Sequence, residues 1–146
     1  MENTIIINEE LMASKSRRFI AFALDYLFIQ SLYFSYVYFI ENTTFWDYLD
    51  KDFDIFDVLT GCVIALVYGA VVYPIFSGNL GHRIMGIKVV NFDGKSNFNK
   101  FYEGAFREFI KDICIVLIFP NLWILFDKNN QNIYDKLFKT IVIKRI

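Results

Sequence analysis

Histidine and cysteine are scarce in this sequence, which restricts the chemistry that the chain can perform. Its 146 residues include one histidine, His82, and two cysteines, Cys62 and Cys114, which both lie in apolar runs. A histidine-based metal site or catalytic relay is therefore not expected, and the cysteines are predicted to be small buried residues rather than a disulfide or metal site. The sequence also contains no nucleophile elbow, no HExxH motif and no complete G-x-x-x-x-G-K-[ST] phosphate loop. We expect no enzymatic activity, no bound metal and no cofactor.

Charge of one sign is not in excess either, whereas apolar residues are abundant. The 15 basic and 16 acidic residues leave a net charge of -1, so no overall positive field favours nucleic acid as a partner. Apolar residues make up 55% of the chain, against about 45–50% in soluble domains. The 17 phenylalanines and nine tyrosines are more than a soluble core of this size can bury. Membrane lipid is therefore the expected environment.

Two apolar runs have the length of membrane-crossing helices. Residues 19–40 contain one formal charge, Asp25, and residues 58–76 contain none. As helices they would extend about 33 Å and about 28 Å, close to the hydrocarbon thickness of about 30 Å. As buried helices of a soluble protein they would have no polar face for water. We predict two transmembrane helices over these ranges.

The charges between the runs predict an orientation. Residues 41–57 hold six acids and one base, whereas basic residues precede the first run and follow the second. Because basic residues collect on the cytoplasmic side, residues 1–17 and 77–107 are predicted to be cytoplasmic and residues 41–57 external. The predicted location is the inner (cytoplasmic) membrane of a bacterium.

A third apolar segment, residues 108–126, does not have the form of a simple crossing. Lys111 and Asp112 lie near its start, and Pro120 with Asn121 interrupts it. A full crossing would place the basic tail, residues 127–146, outside, against the charge rule. We therefore predict a bent or re-entrant segment and a cytoplasmic tail.

Two segments rich in β-branched residues, 86–92 and 140–146, are predicted to pair as strands on the cytoplasmic side. The predicted fold class is an all-α membrane protein with two full transmembrane helices, the third bent segment and this small β pairing. The whole chain, residues 1–146, is predicted to be one domain.

Four short motifs resemble the RDD family of small bacterial membrane proteins, which is named for one arginine and two aspartates. The matching residues, spread over about residues 16–144, are Arg18, Ala21, Asp25, Gly78, Gly81, Arg83, Gly86, Arg107, Glu108, Asp135 and Thr140. The sequence departs from the pattern in a short third segment and in Lys139, where a small residue is commoner. The resemblance implies the architecture, and transport of ions or small ligands has been proposed for the family.

Asp25 is the leading candidate for a functional residue. It lies seven positions after Arg18, so both side chains share one helical face. Arg18 should extend toward the cytoplasmic surface, which leaves a carboxylate within the bilayer at a cost of about 2.5–3.5 kcal/mol. We expect Arg107 or Lys111 to pair with it, and Asp135 to meet Arg18 or Arg83. Asp25 is either a proton or cation site or a structural group, held in a salt bridge or by a hydrogen bond to a neighbouring helix.

The glycines are assigned structural roles. Gly78, Gly81 and Gly86 lack the spacing and flanking residues of a phosphate loop and are predicted to form tight turns after the second helix. Residues Gly61, Ala65 and Gly69 form a stripe of small residues that lets another helix approach closely.

Two functions remain open at this stage. The first is transport of ions or a small ligand by an oligomer or a subunit, since three membrane segments are too few to enclose a path. The alternative is a scaffold that stabilises or regulates another membrane protein. A transporter is expected to leave Asp25 near water, whereas a scaffold is expected to bury it against a base.

Overall fold

Three long helices dominate the computed structural model, which describes residues 11–52, 54–93, 96–117 and 123–145. Helix α1 is Lys15–Ile40, α3 is Ile55–Phe76 and α5 is Phe101–Leu117, and a short helix α2, Phe45–Leu49, lies between α1 and α3. Both α1 and α3 begin three or four residues before the apolar runs, because polar side chains cap them. The Ser14 hydroxyl accepts from the backbone N–H of Arg17, and Asp54 accepts from that of Phe56.

Two helical stretches are long and apolar enough to cross a membrane. They are Lys15–Ile40 and Ile55–Ile84, the latter including α3 and the short helix α4, Leu80–Ile84. Only 22% and 28% of their most apolar windows are buried within the chain. Large apolar side chains are instead exposed, among them Phe19, Leu27 and Phe39 on α1 and Phe56, Val67 and Ile75 on α3. These surfaces suit lipid rather than water.

Helix α5 packs antiparallel against α3 through a close backbone contact. A Cβ added at Gly69 would lie 2.4 Å from the Gly104 carbonyl oxygen, so glycine alone fits there. Further along, the Cys62 thiol lies 3.7 Å from an Asp112 carboxylate oxygen. Helix α5 begins at Phe101, seven residues before the predicted third segment. The expected break at residues 120–121 lies outside the described residues.

The predicted strand pairing is confirmed. Strand β1, Ile87–Asn91, pairs antiparallel with β2, Thr140–Lys144, with Val89 opposite Val142. Their buried side chains form a small core with Ala13, Ala21, Tyr73 and Phe98. This sheet therefore joins the tail to the segment after α3.

The tail also returns to the start of α1. Its 3-10 turn, Trp123–Leu125, and its short helix α6, Ile133–Leu137, lie against the first turns of α1. The Lys15 ammonium donates to the Leu125 carbonyl oxygen over 2.9 Å, and the Arg18 guanidinium donates to the Asn130 carbonyl. The chain before α5 and the chain after it therefore lie at the same end of α1 and α3.

Candidate functional site

Six charged side chains meet between the helices and form what we call the buried charge cluster. Three are bases and three are acids, and each is at most 5% exposed: Arg18, Arg107, Lys111, Asp25, Glu108 and Asp135. Burying so many charges is costly unless each has a partner of opposite charge. The cluster is neutral when all six groups are ionised, and its contacts form two connected groups.

The first group is a carboxylate held by two guanidinium groups. Asp135 on α6 forms ion pairs with Arg18 of α1 and Arg107 of α5. It also accepts from the backbone N–H of Asn132 over 2.9 Å. Burial by itself would raise the pKa of Asp135, but the two guanidinium groups hold this pKa below its usual value of 3.8. This clamp ties the tail to two helices.

The second group is centred on Lys111. Its ammonium lies 2.9 Å from a Glu108 oxygen and 3.6 Å from an Asp25 oxygen. The other Asp25 oxygen accepts from the Tyr68 hydroxyl over 2.8 Å and from the Gly81 backbone N–H over 2.9 Å. Asp25 thus joins α1 to α3, α4 and α5.

Tyr73 bridges the two groups. Its hydroxyl donates to Glu108 over 2.9 Å and accepts from Arg107. Asn79 donates to the same Glu108 oxygen over 3.3 Å. Tyr68, Tyr73, Asn79 and Glu108 were not identified as site residues from the sequence. The available signal was Glu108 itself, an acid three residues before Lys111 on one helix face.

The structure shows which of the expected ion pairs form. Lys111 lies beside Asp25, and Arg18 beside Asp135, as the sequence predicted. Arg107 pairs with Asp135 and not with Asp25, because α6 brings the aspartate over this part of α5. Arg83 is exposed on α4 and lies outside the cluster.

Two of the three glycines that were predicted to form turns have conformations that suit turns, and the third does not. Gly86 adopts a left-handed backbone with a φ of 64°, and Gly78 has a φ of 153°, so both suit turns. Gly81 is wrong as a turn residue, because it lies inside α4, where a Cβ would be 2.0 Å from the Ala21 carbonyl oxygen. Its role is to let α4 approach α1.

Only part of the predicted stripe on α3 packs within the chain. Ala65 and Gly69 are buried, and Gly69 meets Gly104. Gly61 is different, because no described residue lies within 4 Å of a Cβ added there. Gly61 instead borders a cavity.

This outer cavity has a volume of about 440 Å³ and extends from the acidic loop to the charge cluster. Tyr48, Asp54 and Asp57 line it near the start of α3, and Glu108 and Lys111 line its floor. Asp112 also lines the cavity and is about half buried. Five acidic and two basic residues border it in all. The cavity therefore extends from the acidic loop to two side chains of the cluster.

A metal centre is not indicated by the donor side chains that the structure describes. Within these residues, no three His, Cys, Asp or Glu side chains are placed to hold a metal ion. Cys62 and Cys114 are both buried and free.

Most of the chain matches the sequence model of a known protein family. The sequence model described as the RDD family matches residues 12–139. No curated protein and no solved structure matches the chain. The matched range contains all six members of the charge cluster.

Proposed function

The chain belongs to the RDD family, and from that premise we propose that it moves an ion or a small ligand across the bacterial inner membrane. It acts as a multi-pass protein with a cytoplasmic N-terminus and works as an oligomer or as a subunit of a larger membrane complex. We propose no enzymatic activity and no nucleic-acid partner for it.

The outer cavity is the observation that carries this proposal. It joins the acidic loop to the Glu108 and Lys111 side chains between the helices. A site that binds an ion in the membrane needs polar groups at the end of a water-accessible route. The excess of acids along the cavity favours a positively charged species.

An oligomer or partner completes the route in this proposal. Gly61 borders the cavity and leaves room beside α3 that no residue described in this chain fills. Three membrane segments are too few to enclose a path by themselves, so a neighbouring helix is needed. Lipid and a second copy of the chain, or another membrane protein, are the proposed partners.

Flux in proteoliposomes tests the proposal. The purified protein is reconstituted, and proton, sodium, potassium and chloride fluxes are followed with ion-sensitive dyes. We expect a flux that Asp112→Asn lowers about tenfold, equivalent to about 1.4 kcal/mol on the barrier. The control is Asp50→Asn, which makes the same chemical change at an exposed position of the acidic loop. Equal fluxes for the two variants would contradict a role for the cavity.

A scaffold is the second candidate, and the position of Asp25 favours it. Asp25 is fully buried and lies against Lys111, which is the arrangement expected of a structural ion pair. In this case the wild-type protein produces no flux above protein-free liposomes for any of the four ions. Asp25→Asn then acts on folded yield alone.

A further inference from the structure

A second cavity, of about 170 Å³, lies near the first turns of α1, and we call it the inner pocket. It is bordered by α1, α4, α5, the 3-10 turn and α6. Three basic side chains line it, and two of them, Arg18 and Lys111, are already paired with Asp135 and Glu108. Lys15 therefore supplies the positive charge that no acid of the lining balances, and His82 and Asn132 add two further nitrogen-bearing side chains. Among the described residues that line it, none is acidic. Such a lining favours an anion.

The remaining wall of the inner pocket is apolar. Its apolar side chains come from both α1 and the 3-10 turn, and are Phe19, Phe22, Ile124 and Leu125. Phe19 is 70% exposed and Leu125 57% exposed, on a face of α1 that suits lipid. Arg18, His82 and Lys111 are buried. The pocket therefore combines an apolar outer edge with a basic interior.

Arg18 provides independent evidence for a ligand. Its side chain is 5% exposed, and its two terminal nitrogens bind Asp135 and Asn130. Its Nε is buried and has no hydrogen-bond partner among the residues that the structure describes. A buried donor without a partner costs about as much as a lost hydrogen bond, and an oxygen of a bound anion would satisfy it. The Lys15 ammonium, which lines the same pocket, has three donors, one of which binds Leu125.

We propose that the inner pocket binds the headgroup phosphate of an anionic phospholipid from the leaflet next to the start of α1. The phosphate lies between Lys15 and the Arg18 Nε, and the acyl chain follows Phe19 and Leu125. The apolar wall favours a lipid over free phosphate, because a small hydrated ion gains nothing from phenyl rings. Lys111 borders both this pocket and the outer cavity, so a bound lipid adjoins the charge cluster directly.

Fluorescence of Trp123 provides the measurement. This residue precedes Ile124, and the sequence contains just one other tryptophan, Trp46, which is 73% exposed at the far end of the helices. The full chain with Trp46→Phe, in detergent, is titrated with short-chain phosphatidylglycerol, with short-chain phosphatidylcholine and with inorganic phosphate. We expect a saturable change with phosphatidylglycerol, at least tenfold weaker binding of phosphatidylcholine, and no saturation by phosphate.

Two matched variants locate the binding site. Lys15→Gln removes a pocket charge and keeps a hydrogen-bond donor near Leu125, whereas Arg17→Gln removes a charge from an exposed position in the same helical turn. We expect Lys15→Gln to weaken phosphatidylglycerol binding about fivefold, which is the contribution of one basic residue near an anionic membrane surface. Arg17→Gln should change it less than about twofold.

Three results would overturn the proposal. Equal affinities for the two lipids in the unsubstituted pocket would mean that headgroup charge is not recognised. Equal effects of Lys15→Gln and Arg17→Gln would mean that only surface charge acts. Saturation by inorganic phosphate at the phosphatidylglycerol concentration would make a free anion the ligand. The lipid comparison requires no pocket variant, so it decides the proposal even if one fails to fold.

Discussion

Asp135 and Asp25, two buried carboxylates of the charge cluster, differ in the basic side chains that rely on them for an ion pair. Asp135 is the carboxylate partner of both Arg18 and Arg107. Asp25 pairs with Lys111, but that ammonium lies closer to Glu108, at 2.9 Å against 3.6 Å. Removing the charge of Asp135 therefore takes an ion pair from two guanidinium groups, whereas removing the charge of Asp25 leaves Lys111 paired with Glu108.

This difference predicts an order of stability. Asp135→Asn is expected to cost about 3–5 kcal/mol, the loss typical of a broken buried ion pair. Asp25→Asn should cost about 1–3 kcal/mol, because an amide oxygen can still accept from Tyr68 and Gly81. The measurement is the melting temperature and the folded yield by size-exclusion chromatography in one detergent.

Asp54→Asn is the control for this series. It makes the same change at a surface residue, 3.8 Å from Lys51, and asparagine caps a helix as well as aspartate does. It should leave the melting temperature nearly unchanged. If Asp25→Asn proved more damaging than Asp135→Asn, the clamp on the tail would not be the main structural contact of the cluster.

At the scale of elements, close backbone approaches set the arrangement of the helices. Gly69 faces Gly104, and Gly81 faces Ala21, so α5 and α4 each approach another helix where a side chain would not fit. Small residues allow this kind of packing between membrane helices. The charge cluster adjoins both contacts, because Asp25 accepts from the Gly81 N–H and Arg107 follows Gly104 by three residues.

Two glycines on α3 give a matched test of this packing. Gly69→Ala is expected to destabilise the protein by about 1–3 kcal/mol, because its Cβ would lie 2.4 Å from a backbone oxygen. Gly61→Ala lies two turns away, where the new Cβ meets no described residue within 4 Å, and it should be neutral or gain up to about 1 kcal/mol in helix propensity. Melting temperatures of the two variants in one detergent decide the matter, and equal values would exclude a close contact at Gly69.

The elements were predictable from the sequence to different degrees. Apolar runs identified α1 and α3, and β-branched residues identified both strands, because these signals are local. The early start of α5 at Phe101 was missed, since Glu103 and Arg107 interrupt the apolar pattern of residues 101–107. Arg107 is buried in the cluster, and Glu103 pairs with Lys100. Gly104 and Tyr68 were missed because their importance comes from a partner distant in sequence.

The sequence predicted site residues only where a charged side chain in an apolar run needed a partner of opposite charge. Asp25 required a basic partner, and Lys111, near the start of the third segment, was expected at a similar depth in the membrane; the two do pair. The position of α6 determines which of the several bases pairs with each acid. That position is set by tertiary contacts such as the Arg18–Asp135 pair, and no local pattern in residues 133–137 encodes it.

For the whole molecule, the tail contacts bear on membrane topology. Leu125, Asn130 and Asp135 contact the first turns of α1, and strand β2 pairs with β1 just after α4. If α1 and α3 each cross the bilayer, the N-terminus, the segment after α3 and the tail lie on one side. The abundance of basic residues in these parts predicts that this side is the cytoplasm.

Cysteine labelling in intact cells tests this topology. In a background with Cys62→Ala and Cys114→Ala, an impermeant maleimide should label Asp50→Cys directly and Asn99→Cys and Lys128→Cys only after permeabilisation. All three native residues are exposed, so access to each depends on the side of the membrane. Asp50→Cys also serves as the control for reagent activity, and detergent-treated cells control for expression of the other two. Direct labelling of Lys128→Cys would mean that the third segment crosses fully, which would separate the tail from the N-terminus of α1 and contradict the contacts that close the charge cluster.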